Sequence, residues 1–382
     1  MDFRTPDRTL EWEFGYWGGT IERWYKEGLP KRFGLPREPR TAETVGGPGL
    51  LDFPETLMDR DVSNYLGFDR GVECLPVKYW IFPKFKVQVL EEDAETQVFL
   101  DEDGITRRER KDRASVPHFL KGPVTGRADW EKVKEERFNL GRIKERFPKN
   151  WSELVQRYKG RDFPIGIGGH PVGFFGSLRE LLGEVMVHYA YYDDPKLLKD
   201  ILAHLTELWI AIYEEIVAAI DVDFALFWED MAYNKGSLIS PKLFREFMSP
   251  YYKRMTDFLK SRGVRHIIVD TDGKCTELIP LFIEAGLSGM YPFEVQSGMD
   301  IVEVRKKYPE LQIWGGLDKR VASQGKSEMD QELEKVVFML ERGGFIPFFD
   351  HLVPPDVSWD NYVYFRKKLK SLIEGGSRQV PS

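Results

Sequence analysis

An apolar run, His266-Ile267-Ile268-Val269, ends in Asp270-Thr271-Asp272-Gly273. A buried carboxylate is costly unless something pairs with it, so two acids at one strand tip call for a cation or for proton transfer. The pattern recurs down the chain. Short apolar runs end in Gly168-Gly169-His170, in Trp228-Glu229-Asp230, in Pro292-Phe293-Glu294, in Gly315-Gly316-Leu317-Asp318 and in Asp350-His351. Asp270, Asp272 and His351, with Glu229 completing the set, offer oxygen and nitrogen donors for a divalent ion, zinc or a harder one. The same residues also suit a metal-free carboxylate–histidine acid/base set, and spacing alone does not separate the two. The plainer reading of any single acid is a helix cap or a solvated loop carboxylate, and it carries equal weight for Asp230 and Asp318. It is weaker for Asp270 and Asp272, which together follow a fully apolar run. His170, between Gly169 and Pro171, reads as a turn histidine, and His118, His188, His204 and His266 read as structural.

These tips need elements to hold them. Apolar runs without polar alternation suit strands buried on both faces. Strands are expected over 163–168, 223–228, 266–270, 287–291, 311–314 and 345–349. Helix-length segments separate them, among them 178–189, 195–220 and 276–284, with Ser240-Pro241 starting another. Strands alternating with helices imply a parallel sheet. Six such strands with one or two upstream predict an α/β fold, a (β/α)8 TIM barrel, whose acid-bearing tips share the rim where barrel active sites lie. A doubly wound open sheet is the alternative, but no Gly-x-Gly-x-x-Gly opens a helix.

The first 160 residues read differently. Residues 10–17 alternate like a strand, a short helix starts near Thr20, and 34–54 reads as loop. Lys84–Leu90 and Thr96–Leu100 alternate with period two around the turn Asp101-Glu102-Asp103-Gly104. This places an antiparallel meander at about 78–116 in an N-terminal extension. The expected organisation is one domain over 1–382, with regular βα repeats from 161 onward.

Composition narrows the function. A net charge of -7 argues against nucleic acid as a partner. Two cysteines, Cys74 and Cys275, indicate a reducing compartment and rule out a cysteine-rich metal site. No run of about 18 apolar residues exists to span a membrane, and the first residues lack the apolar core of a signal peptide. The expectation is a cytoplasmic enzyme acting on a small molecule. Gly-x-Ser-x-Gly, P-loop and His-Glu-x-x-His motifs are all missing.

The tips and their flanks resemble the uroporphyrinogen decarboxylase superfamily, which includes the methylcobalamin-dependent methyltransferases. Trp17-Gly18-Gly19-Thr20-Ile21-Glu22-Arg23-Trp24 with Glu27-Gly28-Leu29-Pro30 is similar to the N-terminal signature of the methyltransferase branch. Trp228-Glu229-Asp230-Met231 with Ile239-Ser240-Pro241 resembles its central motif, and Gly315–Asp318 stands at its Gly-Asn-x-Asp turn. His351 with Pro354-Pro355-Asp356 and Asn361 resembles the C-terminal motif. The resemblance implies a barrel and a methyl group moved between a small O-, N- or S-methyl compound and cobalamin on a partner corrinoid protein. A homodimer is compatible with it. Asp270, Asp272 and His351 would bind a divalent metal or protonate the leaving atom, with Glu229 in support. Arg23, Trp17, Trp228, Tyr291, Glu294 and Asp318 are the candidate substrate contacts, and Trp314 is a further candidate pocket aromatic. Two departures matter. Asp270-Thr271-Asp272-Gly273 stands where zinc methyltransferases carry His-x-Cys-Gly, and His351 where they carry Cys, which turns the donor set away from thiol chemistry. The decarboxylases' Arg-Gln-Ala-Gly-Arg is replaced by Gly19-Thr20-Ile21-Glu22-Arg23, which leaves one cation for a polycarboxylate. Decarboxylation of a porphyrin-like or small acid is the alternative reaction.

Overall fold

The computed structural model describes residues 1, 3, 8–47, 49–50, 57–112 and 115–375. Eight parallel strands form one sheet in sequence order: β1 (Gly49–Leu50), β2 (Glu73–Cys74), β3 (Ile165–Gly168), β4 (Phe224–Trp228), β5 (His266–Asp270), β6 (Gly289–Tyr291), β7 (Gln312–Trp314) and β8 (Phe345–Ile346). Consecutive order in a curled parallel sheet is the (β/α)8 barrel. Strands β3 to β7 fall within two residues of the stretches read from sequence, because residues such as Ile267, Ile268 and Val269 are buried on both faces. β8 is shorter than expected and stops at Ile346, ahead of Pro347, which cannot donate a ladder bond. β1 lies inside the stretch read as loop; two residues show no periodicity.

The N-terminal stretch 10–17 is a strand only at Tyr16–Trp17, which pairs antiparallel with Thr44–Val45. The rest runs beside β8. Thr9 Oγ1 donates to the Phe345 carbonyl at 2.6 Å, and Glu13 Oε1 accepts from the Phe349 amide at 3.1 Å. Trp12 joins Phe224, Leu226, Ile268, Tyr291, Trp314 and Phe348 in the apolar plug inside the barrel. The outer core lies between the strands and helices such as Pro195–Val217, whose Asp194 cap accepts from the Leu197 amide at 2.9 Å. No helix among the described residues is long and apolar enough to cross a membrane.

The meander has four antiparallel strands, Gln88–Glu92, Thr96–Leu100, Thr106–Arg110 and His118–Lys121. Asp101 Oδ1 accepts from the amides of Asp103 and Ile105, and Gly104 takes a left-handed φ of 79°. That acid pair is turn chemistry, as its polar setting suggested.

Close backbone approach fixes the rim between β3 and β4. Gly173 is extended, at φ -177°, so space decides its identity: a Cβ there would overlap the Trp228 carbonyl oxygen. We predict that Gly173→Ala lowers stability by about 1–3 kcal/mol through overpacking. A chemical-denaturation midpoint equal to wild type would show that the two tips can separate at no cost.

Candidate active site

Ladder register sets the level of the rim. Trp228 pairs with Asp270, and Asp270 pairs with Tyr291. Asp270 therefore sits between two aromatic residues, at the floor of the mouth. The Tyr291 hydroxyl hydrogen-bonds its carboxylate, while Asp272 and Asp230 lie close enough to repel it. Burial, and then those two charges, raise the Asp270 pKa well above the ordinary carboxylate range, against the Tyr291 bond.

Beyond Asp270 the chain turns. The Thr271 amide donates to the Tyr291 carbonyl at 3.0 Å, and its hydroxyl accepts from the Met231 amide at 3.1 Å. Gly273 has φ 78°, and a Cβ there would lie 2.6 Å from the Ala232 backbone. This turn points Asp272 at His351, whose Nε2 is 3.3 Å from Asp272 Oδ2. Glu294 comes in from the tip of β6. Its Oε2 accepts from the Gly273 amide at 3.0 Å and from Ser297 Oγ at 3.2 Å. One donor atom from each of Asp272, Glu294 and His351 lies within 4.8 Å of the others. Asp272 Oδ1 is buried and has no hydrogen-bond partner. An orphaned carboxylate oxygen inside an oxygen–oxygen–nitrogen set fits a divalent cation.

Supporting groups surround this triad. Lys319 Nζ lies 3.8 Å from Glu294 and 3.5 Å from the fully buried Asp350, whose carboxylate also takes the amides of Val295 and Lys319. The rings of Phe14 and Trp17 stand 5.4 Å and 6.2 Å from that of His351. Burial disfavours the charged imidazole, but the Asp272 bond and charge outweigh it and raise the His351 pKa.

The expected residues thus divide. Asp272 and His351 meet as anticipated, and Glu294, expected only to touch substrate, completes their group. Asp270, expected as the third ligand, is not in that group, because its carboxyl is taken by Tyr291. Glu229 does not face the mouth at all. It is fully buried, and its carboxylate accepts from the amides of Phe174, Phe175 and Gly176 at 2.6, 2.7 and 2.9 Å and from the Tyr252 hydroxyl. It anchors the N-terminus of the helix Phe174–Leu182. Asp318 is bound by Arg320 through both oxygens, at 2.8 and 2.7 Å. Arg23 is held by Glu27 at 2.6 Å and by the Pro355 carbonyl at 2.7 Å. Trp314 is buried in the barrel plug, stacked on Tyr291.

Asp230 occupies the left-handed region at φ 47°, a strained position for a residue with a Cβ. Arg179 holds it there, donating to its carbonyl at 3.1 Å and its carboxylate at 2.8 Å while lying over the Trp228 ring. His170, read as a turn residue, is exposed, with its ring edge-on to Trp228 at 4.3 Å. His204 and His266 are structural, bonded to the Phe138 carbonyl and to Gln312.

The uroporphyrinogen decarboxylase (URO-D) family model matches residues 111–372. The chain belongs to the uroporphyrinogen decarboxylase family. Members of this superfamily are enzymes, decarboxylases or methyltransferases. No curated protein matches the chain. Among solved structures, a putative vitamin-B12 independent methionine synthase from Listeria monocytogenes aligns over 60% of this chain and 70% of that one, with 11% identity and a TM-score of 0.32.

Glu229 allows a test by pH. Burial pushes its pKa up to about 7 in the fold, against the amide and Tyr252 bonds. A raised folded pKa means that the native state holds a proton the unfolded chain has released. The stability from this group is therefore present below the unfolded value and lost as pH rises through about 7. Glu229→Gln has no such proton. The stability advantage of wild type over Glu229→Gln should shrink between pH 5 and pH 8 in denaturant titrations. An advantage that grows with pH would mean that the helix N-terminus keeps this carboxylate ionised.

Proposed function

We propose that this family member is a methyltransferase that moves a methyl group between a small O-, N- or S-methyl compound and cobalamin carried on a separate corrinoid protein. The observation that carries the reading is the sulfur-free triad of Asp272, Glu294 and His351, with its orphaned Asp272 oxygen. The charge balance supports it. Lys319, Arg179, Arg320 and Arg23 are each engaged by a carboxylate of this chain, so they are poorly placed to receive a polycarboxylate such as a porphyrinogen.

In this mechanism Asp272, Glu294 and His351 would hold a divalent cation. When bound, such an ion supplies Lewis acidity toward the heteroatom that carries or receives the methyl group. The Asp270 carboxyl, oriented by Tyr291, holds a proton for that heteroatom. Phe14 and Trp17 place apolar rings on the His351 side of the mouth.

Elemental analysis of the purified protein should find a bound divalent metal, lost in Asp272→Asn and His351→Ala. Asp270→Asn should keep the metal, melt near the wild-type temperature because a neutral carboxyl is exchanged for a neutral amide of the same shape, and lose about 10²–10⁴-fold in turnover, as expected for removal of a general acid. Methyl transfer to added cob(I)alamin, screened over methoxylated aromatics and methylamines, is the activity to measure. Carbon dioxide release from carboxylic acids without any methyl transfer would sink the proposal.

A further inference from the structure

A second cavity, of about 970 Å³, opens beside the mouth at the tip of β3, where His170 and Pro171 form part of its wall. Its other walls come from the segment 76–84, the meander turn at Glu102 and Asp103, and the segment 148–157. Tyr79, Trp80 and Phe82 supply aromatic surface. That volume lies within the range of about 300–1,000 Å³ typical of small-molecule sites and exceeds what a single ring needs.

The charges around it are unbalanced. Its two acids are both neutralised by one cation, Lys84, whose Nζ lies 2.7 Å from Asp103 and 3.2 Å from Glu102. Lys78 and Arg157 also line the cavity, Arg157 with its guanidinium against Tyr158. The Lys78 ammonium sits 4.1 Å from the Phe82 ring centroid and makes no ion pair among the described residues. Behind the same ring lies Arg146, 1% exposed, with its guanidinium 5.7 Å from the centroid. Among the described residues Arg146 donates only to the carbonyls of Lys78, Trp80 and Arg137, and its Nε has no acceptor. A buried cation with no counter-charge makes the adjoining wall positive.

We propose that this cavity binds the anionic, ring-bearing end of the substrate, with a carboxylate on Lys78 and a fused or extended aromatic system against Tyr79, Trp80 and Phe82. The inference rests on the methyl-transfer reading for its sense of direction. The acid end lies in the positive cavity beside β3, and the methyl-bearing end points to the triad at β5, β6 and β8, whose carboxylates a divalent cation would neutralise. A compound with its charge at one end and its methyl group at the other matches this division of charge, whereas a polycarboxylate does not.

Equilibrium binding to the intact chain tests it with two probes that differ only in the acid group, 6-methoxy-2-naphthoate and 2-methoxynaphthalene, followed by naphthalene fluorescence. The acid should bind tighter by about tenfold or more, the scale of one charge-assisted hydrogen bond. Lys78→Met should bring the two affinities together without changing the melting temperature, while Lys86→Met, an exposed lysine outside the cavity, should keep the preference. Equal affinities in wild type, an undiminished preference in Lys78→Met, or no binding of either probe would overturn the proposal. Binding requires no methyl transfer, so the two ideas fail separately. An acid preference with no methyl transfer would remove the function and leave this site; methyl transfer from neutral ethers with no acid preference would do the reverse.

Discussion

The ladder that sets Trp228 beside Asp270 and Asp270 beside Tyr291 fixes the level of everything at the mouth. A slip of one residue between parallel strands would turn Asp270 into the wall and put Val269 or Thr271 in its place, because side chains alternate along a strand. Register is held from below by the apolar plug of Leu226, Ile268 and Trp314. It is held from above by the Thr271 turn, which bonds the tips of β4 and β6 together. The rim acids stay where they are because the residues beneath them cannot move.

Electrostatics then divides the mouth. On the side of β5, β6 and β8, carboxylates outnumber cations: Asp270, Asp272, Glu294 and Asp350 face Lys319 and His351. Nearby acids compete for charge, and the arrangement resolves the competition by burial and partners. Asp350 takes backbone amides and Lys319, Asp270 is pushed toward its protonated form, and Asp272 keeps an oxygen with no partner. On the side of β3, Arg179 neutralises Asp230, and Lys78 and Arg146 leave the adjoining cavity positive. A substrate whose own charges are segregated suits such a site better than one charged all round.

Glu229 shows how a motif residue can serve the site from outside it. It follows the Trp228 tip, yet its side chain turns away and gathers three amides of the helix Phe174–Leu182 together with Tyr252. That helix carries Arg179, which holds Asp230 in its strained conformation and covers Trp228. An unpaired carboxylate in this position would be untenable, and four donors make it a structural anchor. Its influence on the mouth runs through the helix it fixes.

Sequence alone determined the architecture: buried parallel strands carry unbroken apolar runs, and β3 to β7 show them, as does the short β8. It also placed the acids on one rim, because parallel strands end on one side. Strands β1 and β2 were invisible because, unlike the equally short β8, neither two-residue strand lies in an unbroken apolar run. Sequence did not say which tips meet. Tertiary structure alone decided that Glu294 joins Asp272 and His351, that Tyr291 takes Asp270, and that Glu229, a carboxylate like the other rim acids, points at helix amides 53 to 55 residues away. The reason is geometric. A strand pattern states which face a side chain leaves from, while its partners depend on the curl of the sheet and on turns such as Gly273, where distant segments are brought within hydrogen-bond reach.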